Sequence, residues 1–177
     1  METILQLDTA VLDWIHRYMS CGFLDHIMPL LSFLGNKGGL WIGTAAVLLF
    51  CNRHRKTGLA MLVSLGLCLV IGNLILKPLV GRARPFEGGA MTTLLIEAPL
   101  DFSFPSGHTM TSFASAGVLL AADKRLGIPA LCMAVLIAFS RLYLYVHYPT
   151  DVLAGAVLGL VVSFVSCRLC RLKPGKQ

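Results

Sequence analysis

The stretch Thr57–Leu79, TGLAMLVSLGLCLVIGNLILKPL, decides the fold. It carries no charge before Lys77. A bilayer core of about 30 Å needs roughly 20 helical residues, and this run supplies them. Similar apolar runs lie at about Gly39–Cys51, Ser106–Ala122, Leu126–Tyr145 and Thr150–Leu169. The first of these is short, so its start is expected further upstream. The chain therefore reads as all-α: a polytopic membrane bundle of about five spans over residues 39–169, within a single domain over 1–177.

Composition agrees. The chain is 56% hydrophobic and 14% charged, with a mean hydropathy of +0.75, where a soluble domain would carry about 25% charge. The net charge of +6 does not point to nucleic acid, because no basic run is interleaved with aromatics. Met1-Glu2-Thr3 lacks the basic region of a secretory signal, so the mature chain is expected to begin near Met1. Six cysteines are scattered, and Cys167-x-x-Cys170 has no second pair, so all read as packing residues.

Residues 1–35 are too polar for a plain span. Leu7, Val11, Trp14, Ile15 and Tyr18 recur at helical spacing, opposite Thr9, Asp13, His16 and Ser20. That is an amphipathic helix expected in the interface plane. Phe23–Leu34 is a second short apolar run, broken by Pro29. Trp14, Trp41 and the tyrosines Tyr143–Tyr148 read as interface anchors, with Tyr148 also a candidate for the site entrance. His16, His26 and His54 read as ordinary polar residues.

Three polar clusters interrupt the apolar pattern: Lys77–Pro85 (KPLVGRARP), Pro105–His108 (PSGH) and Ser140–Asp151 (SRLYLYVHYPTD). Span parity places all three on one face of the membrane. The opposite loops carry Arg53, Arg55 and Lys56, then Lys124 and Arg125, and the tail carries Arg168, Arg171, Lys173 and Lys176. Lysine and arginine favour the cytoplasmic side, so the clusters are expected to face outward and the C-terminus inward.

Each cluster has a chemical and a bland reading. His147 and Asp151 stand at i, i+4; a carboxylate can hold one imidazole nitrogen as N–H and leave the other free to attack. They could equally cap helices. Arg141 suits phosphate oxygens through its planar fork. Ser106-Gly107-His108 opens a helix whose first N–H groups form an anion site, with His108 placed as a proton donor. It could also be an ordinary turn. Lys77, Arg82 and Arg84 could bind phosphate or form a basic stop, with Arg82 the member most easily assigned to the rim.

Together, Lys77-x6-Arg84-Pro85, Pro105-Ser106-Gly107-His108 and Ser140-Arg141-x5-His147-x3-Asp151 resemble the signature of the type 2 phosphatidic acid phosphatase superfamily. The match covers about Lys77–Asp151. The small size and amphipathic N-terminus are similar to its bacterial undecaprenyl-diphosphate phosphatases, the type linked to bacitracin resistance. The resemblance implies that His147 is the nucleophile, Asp151 orients it and His108 serves the leaving group. It also implies that Lys77, Arg84, Arg141 and the Ser106–Gly107 backbone hold the phosphoryl oxygens, with Arg82 beside them. It implies no metal and no cofactor. The expected partner is a lipid phosphate in a bacterial cytoplasmic membrane. A polyprenyl diphosphate is preferred over phosphatidate or phosphatidylglycerophosphate, and hydrolysis over phosphotransfer. A non-catalytic transporter or lipid-binding protein would not need both histidines and the aspartate at these spacings.

Overall fold

The computed structural model describes residues 2–88 and 93–172, so Gly89 in the loop and Lys173 and Lys176 in the basic tail lie outside the described residues. Among the described residues eight α-helices follow in order: α1 Glu2–Met19, α2 Gly22–Leu34, α3 Gly39–Phe50, α4 Arg55–Cys68, α5 Lys77–Val80, α6 Gly107–Ala122, α7 Lys124–Tyr143 and α8 Pro149–Leu169. No strand occurs among the described residues.

Helices α4 and α5 are one continuous rod. Between them, Leu69–Leu76 widens to the i→i+5 pattern of a π-helix. Pro78 follows directly and has no N–H to donate to the preceding turn. This rod, α7 and α8 are each long and apolar enough to cross a membrane.

Two of the five expected spans take a form other than a plain long helix. Gly39–Cys51 is the second half of a bent helix pair: α2 and α3 together are long and apolar enough to cross a membrane, and they bend by 45° at a single turn, Asn36–Gly38. Lys37 and Gly38 turn the chain there with φ of 50° and 70°. Phe23–Leu34 is thus joined to the span rather than separate from it. Helix α6 has 16 residues, which at 1.5 Å each gives about 24 Å, short of a bilayer core.

Helix α6 is the hub and packs against both α7 and α8. Gly155 and Gly159 on α8 permit the close approach. A Cβ at Gly155 would lie only 2.7 Å from the Ser106 carbonyl oxygen. Small residues four apart are a common way for membrane helices to touch backbone to backbone. Trp41, Met61, Val118 and Ile137 join α3, α4, α6 and α7 in the main apolar core. A second core, with Ile15, Met28, Leu144 and Val146, seats α1 and α2 on the α7–α8 turn.

The aromatic anchors also need correcting. Trp41 is buried, and its Nε1–H donates to Ser112 Oγ at 2.9 Å. Tyr143 and Tyr145 are buried and donate to Asp25 and Asp13 at 2.6 and 2.7 Å. They fasten the two N-terminal helices to the α7–α8 turn. On α1, Leu7, Val11, Trp14 and Tyr18 form the exposed stripe, whereas Ile15 turns inward with Asp8 and Leu12.

Candidate active site

Pro105 and Ser106 stop the long loop, and α6 starts at Gly107. The first turn has no intrahelical acceptors for its N–H groups. Ser106, however, donates its own N–H to the Asp151 carbonyl at 3.1 Å. That backbone donor is therefore committed to the fold, and the Ser106 hydroxyl is buried against Thr109. Gly107 lies close to the rod: a Cβ there would sit 3.3 Å from Asn73 Oδ1 and 4.0 Å from Lys77 Nζ. The rod end and the α6 N-terminus thus meet.

The His147–Asp151 pair does not share a helical face, because α8 begins at Pro149 and His147 precedes it. A buried turn carries the histidine instead. Tyr145 adopts a left-handed φ of 58°, and the Val146 N–H returns to the Arg141 carbonyl at 3.2 Å. Asp151 sits in the first turn of α8 and accepts the Tyr148 N–H at 2.9 Å, as a helix-start carboxylate should.

His147 Nδ1 stands 3.6 Å from Asp151 Oδ2, beyond good hydrogen-bond length. Ser103 lies between them. Its hydroxyl donates to Asp151 Oδ2 at 2.5 Å and lies 3.4 Å from His147 Nδ1. The network assigns the ring proton to Nδ1 and leaves the Nε2 lone pair toward Arg84 Nη1, 3.4 Å away. Burial pushes His147 well below the usual imidazole range, to about 3, with Arg141 and Arg84 adding to the effect and Asp151 opposing it. That direction favours the neutral imidazole, the form able to attack phosphorus.

The cations divide into two groups. Lys77, Arg84 and Arg141 line one cavity of about 1370 Å³ together with His108, His147 and Gly107. Arg84 is 2% exposed and is fixed by the carbonyls of Val146 and Asp101 at 2.6 and 2.7 Å. Arg141 donates to Ser32 of α2. Its Nε and the Nε2 of His108 are buried without a protein partner. Buried polar nitrogens without partners are costly, so a cationic site with two of them suits an anion.

Arg82 belongs to the second group. It is not among the residues lining that cavity. One Nη2 donates to Asp8 at 2.7 Å, Nη1 donates to Asp151 and Thr150 at 2.6 and 2.7 Å, and the guanidinium stacks 4.0 Å over the Tyr148 ring. It is a brace behind the histidine.

Sequence reasoning missed Asp8, Ser32, Asp101 and Ser103. Asp101 bonds both Lys77 and Arg84, the latter at 2.6 Å. The cations hold its carboxyl at about 2 although partial burial pushes the other way. No group of three His, Cys, Asp or Glu side chains among the described residues could hold a metal ion.

Residues 57–173 match the PAP2 superfamily. The undecaprenyl-diphosphatase of Sulfolobus acidocaldarius is 35% identical over 162 residues, spanning 91% of this chain and 78% of that protein. Undecaprenyl-diphosphatase BcrC of Bacillus subtilis is 29% identical over 127 residues, 72% of this chain and 65% of that one. The crystal structure of a transmembrane PAP2-type phosphatidylglycerolphosphate phosphatase from Bacillus subtilis superposes with a TM-score of 0.80 at 28% identity, covering 97% of this chain and 88% of that one. With the three motifs gathered at one end of a shared helical bundle, the chain belongs to the PAP2 superfamily and is an integral-membrane lipid phosphatase.

Proposed function

We propose that the chain hydrolyses a polyprenyl diphosphate to the monophosphate and inorganic phosphate, working as a single domain at the outer face of a cytoplasmic membrane. The shape of the cavity carries this reading. Its polar end holds Lys77, Arg84, Arg141 and the two histidines, and its walls continue along Ile42, Leu62, Leu65 and Leu69. A long single hydrocarbon chain fits such an apolar wall while its head reaches the cations. The two undecaprenyl-diphosphatase relatives support the same substrate class.

In this reading His147 Nε2 attacks the terminal phosphorus and the bond to the bridging oxygen breaks. His108 Nε2 supplies the proton to the departing lipid monophosphate. Water then attacks the phosphohistidine, His108 takes its proton, and the P–N bond breaks to release inorganic phosphate. Lys77, Arg84, Arg141 and the Gly107 backbone N–H hold the equatorial oxygens. Fixed cations of this kind stabilise the charge that spreads in a loose phosphoryl-transfer transition state. The basic loop at Arg53–Lys56, with Lys124 and Arg125 at the same end, supports the outward orientation.

The test is kcat/KM for farnesyl diphosphate against phosphatidate in matched detergent. At least about a tenfold preference for the diphosphate is expected, equivalent to 1.4 kcal/mol in transition-state binding. A preference for phosphatidate would overturn the substrate and leave the phosphatase standing. The second reading is a phosphatidylglycerophosphate phosphatase, favoured by the close superposition on the Bacillus subtilis structure. The same assay with that lipid separates the two.

A further inference from the structure

We propose that the Asp101 side chain competes with the substrate phosphate for Lys77 and Arg84, and so sets how much negative charge a head group must carry to be retained. This rests on the lipid-phosphatase reading of the same cavity and extends it to selectivity between a diphosphate and a monophosphate.

Three observations carry it. Asp101 lines the cavity with the cations and histidines assigned to phosphate. Its two carboxylate oxygens are divided between the cations: Oδ1 accepts from Arg84 Nη2 at 2.6 Å, and Oδ2 accepts from Lys77 Nζ. That is the bridging arrangement two phosphoryl oxygens would adopt. Lys77 and Arg84 are buried, yet the Asp101 side chain is 56% exposed. A rotation about its Cα–Cβ bond delivers the carboxylate to water without opening the core.

The loop need not move with it. The Asp101 carbonyl separately accepts the Arg84 Nε–H at 2.7 Å, and the Ser103 N–H donates to the Arg82 carbonyl at 2.8 Å. Backbone anchoring and side-chain occupancy are thus independent. By contrast, Arg141 has no carboxylate partner among the described residues. One cation therefore meets the incoming anion first, and two are released only when the anion outbids Asp101.

The consequence is discrimination by charge. A diphosphate brings more negative charge than a monophosphate, so it displaces Asp101 more readily. After hydrolysis the remaining lipid monophosphate and the inorganic phosphate are weaker competitors. Return of Asp101 to Lys77 and Arg84 favours their departure. A built-in competitor of this kind gains specificity by raising the threshold for every ligand, and weak ones fail to cross it.

The experiment uses the full chain in detergent and three probes: inorganic phosphate as inhibitor, farnesyl diphosphate and farnesyl monophosphate. Asp101→Asn should strengthen inhibition by inorganic phosphate by about tenfold or more, because two charged hydrogen bonds no longer oppose it. The ratio of kcat/KM for diphosphate over monophosphate should shrink in the variant. Unchanged phosphate inhibition and an unchanged ratio would overturn the proposal. Because the inhibition is read with whichever lipid phosphate turns over, its failure is distinct from failure of the substrate assignment. Absence of phosphate release from every lipid tested would instead remove the phosphatase reading. A structure of the unaltered chain with orthovanadate gives a second measurement that does not depend on the variant folding. Asp101 turned away from Lys77 supports the proposal. Vanadate bound while Asp101 still bridges both cations refutes it.

Discussion

Arg82 Nη2 meets Asp8 Oδ2 at 2.7 Å and joins the first helix to the head of the last. The other guanidinium nitrogen reaches Asp151 Oδ1 at 2.6 Å, so two carboxylates share one cation. Asp8 also accepts the Thr150 N–H at 3.0 Å. The N-terminal helix is thereby coupled to the carboxylate that faces His147 through Ser103.

Asp8→Asn tests that coupling. The amide keeps the space and one acceptor but loses the charge, so Arg82 bears on Asp151 alone. Asp151 then offers less negative potential to the imidazolium-like transition state. The expected result is a fall in kcat on the order of tenfold, about 1.4 kcal/mol, with KM changed far less. Asp8→Glu should recover part of the loss. An equal rise in KM with kcat intact would mean that Asp8 shapes the cavity instead.

The histidine network gives a graded series. His147→Ala should abolish turnover, since it removes the proposed attacking atom. Ser103→Ala and Asp151→Asn leave that atom in place and should retain measurable activity. Ser103→Ala deletes the hydroxyl between Nδ1 and Asp151 Oδ2, leaving the two 3.6 Å apart. Residual activity below that of Asp151→Asn is not expected, because Ser103→Ala leaves the Asp151 charge in place. Phosphate release at each substitution, with farnesyl diphosphate as substrate, checks the order.

In the proposed mechanism the phosphoryl charge falls on Lys77, Arg84 and Arg141. Chelation by EDTA should leave the rate unchanged, and orthovanadate should inhibit by adopting the five-coordinate geometry of the transferring group. Loss of activity on chelation, restored by a divalent ion, would assign the stabilisation to a metal instead.

The clusters were legible in the sequence because each sets polar or titratable residues directly against an apolar run. Asp8, Ser32, Asp101 and Ser103 were not. Each is a lone polar residue whose partner lies far along the chain: Asp8 is 74 positions from Arg82, and Ser32 is 109 from Arg141. Local periodicity carries no information about such pairs. In the stripe Leu7–Tyr18, Ile15 turns inward, and the buried side of α1 that it shares with Asp8 and Leu12 is the one that reaches the site. The Ser106 N–H could not be assigned either, because it depends on where α8 sets down the Asp151 carbonyl. The α2–α3 break was foreshadowed by Gly35 to Gly39, while its 45° bend is a matter of packing. At Gly35 a Cβ would come within 2.9 Å of His108 Cδ2, so that glycine leaves room for the ring.

Orientation is open to labelling. In a chain freed of its native cysteines, a cysteine at Glu87, exposed at the end bearing the site, should react with a membrane-impermeant thiol reagent in intact cells. A cysteine at Asn52, beside Arg53 and Arg55, should react only after the membrane is opened. The reverse pattern would place the site on the cytoplasmic side.

The pH dependence of stability has a definite sign. In the folded chain burial lowers His147 to about 3 from an ordinary 6.5. Between those values the unfolded chain binds a proton that the folded chain does not. Stability therefore rises with pH across that window and levels off above about 6.5, with a slope of at most about 1.4 kcal/mol per pH unit from this one group. Asp101 acts with the same sign lower down: held at about 2 against an ordinary 3.8, it loses its contribution as the pH falls through that interval. Activity is a poor readout here, because the second ionisation of a substrate phosphate, near pH 6, falls in the same range. Thermal unfolding in detergent avoids that overlap. The midpoint temperature should decline as the pH is lowered from 6.5 toward 4. His147→Gln, which cannot take up a proton, should flatten that decline relative to the unaltered chain. An identical decline in both proteins would show that His147 titrates alike folded and unfolded, which would contradict its burial in the α7–α8 turn.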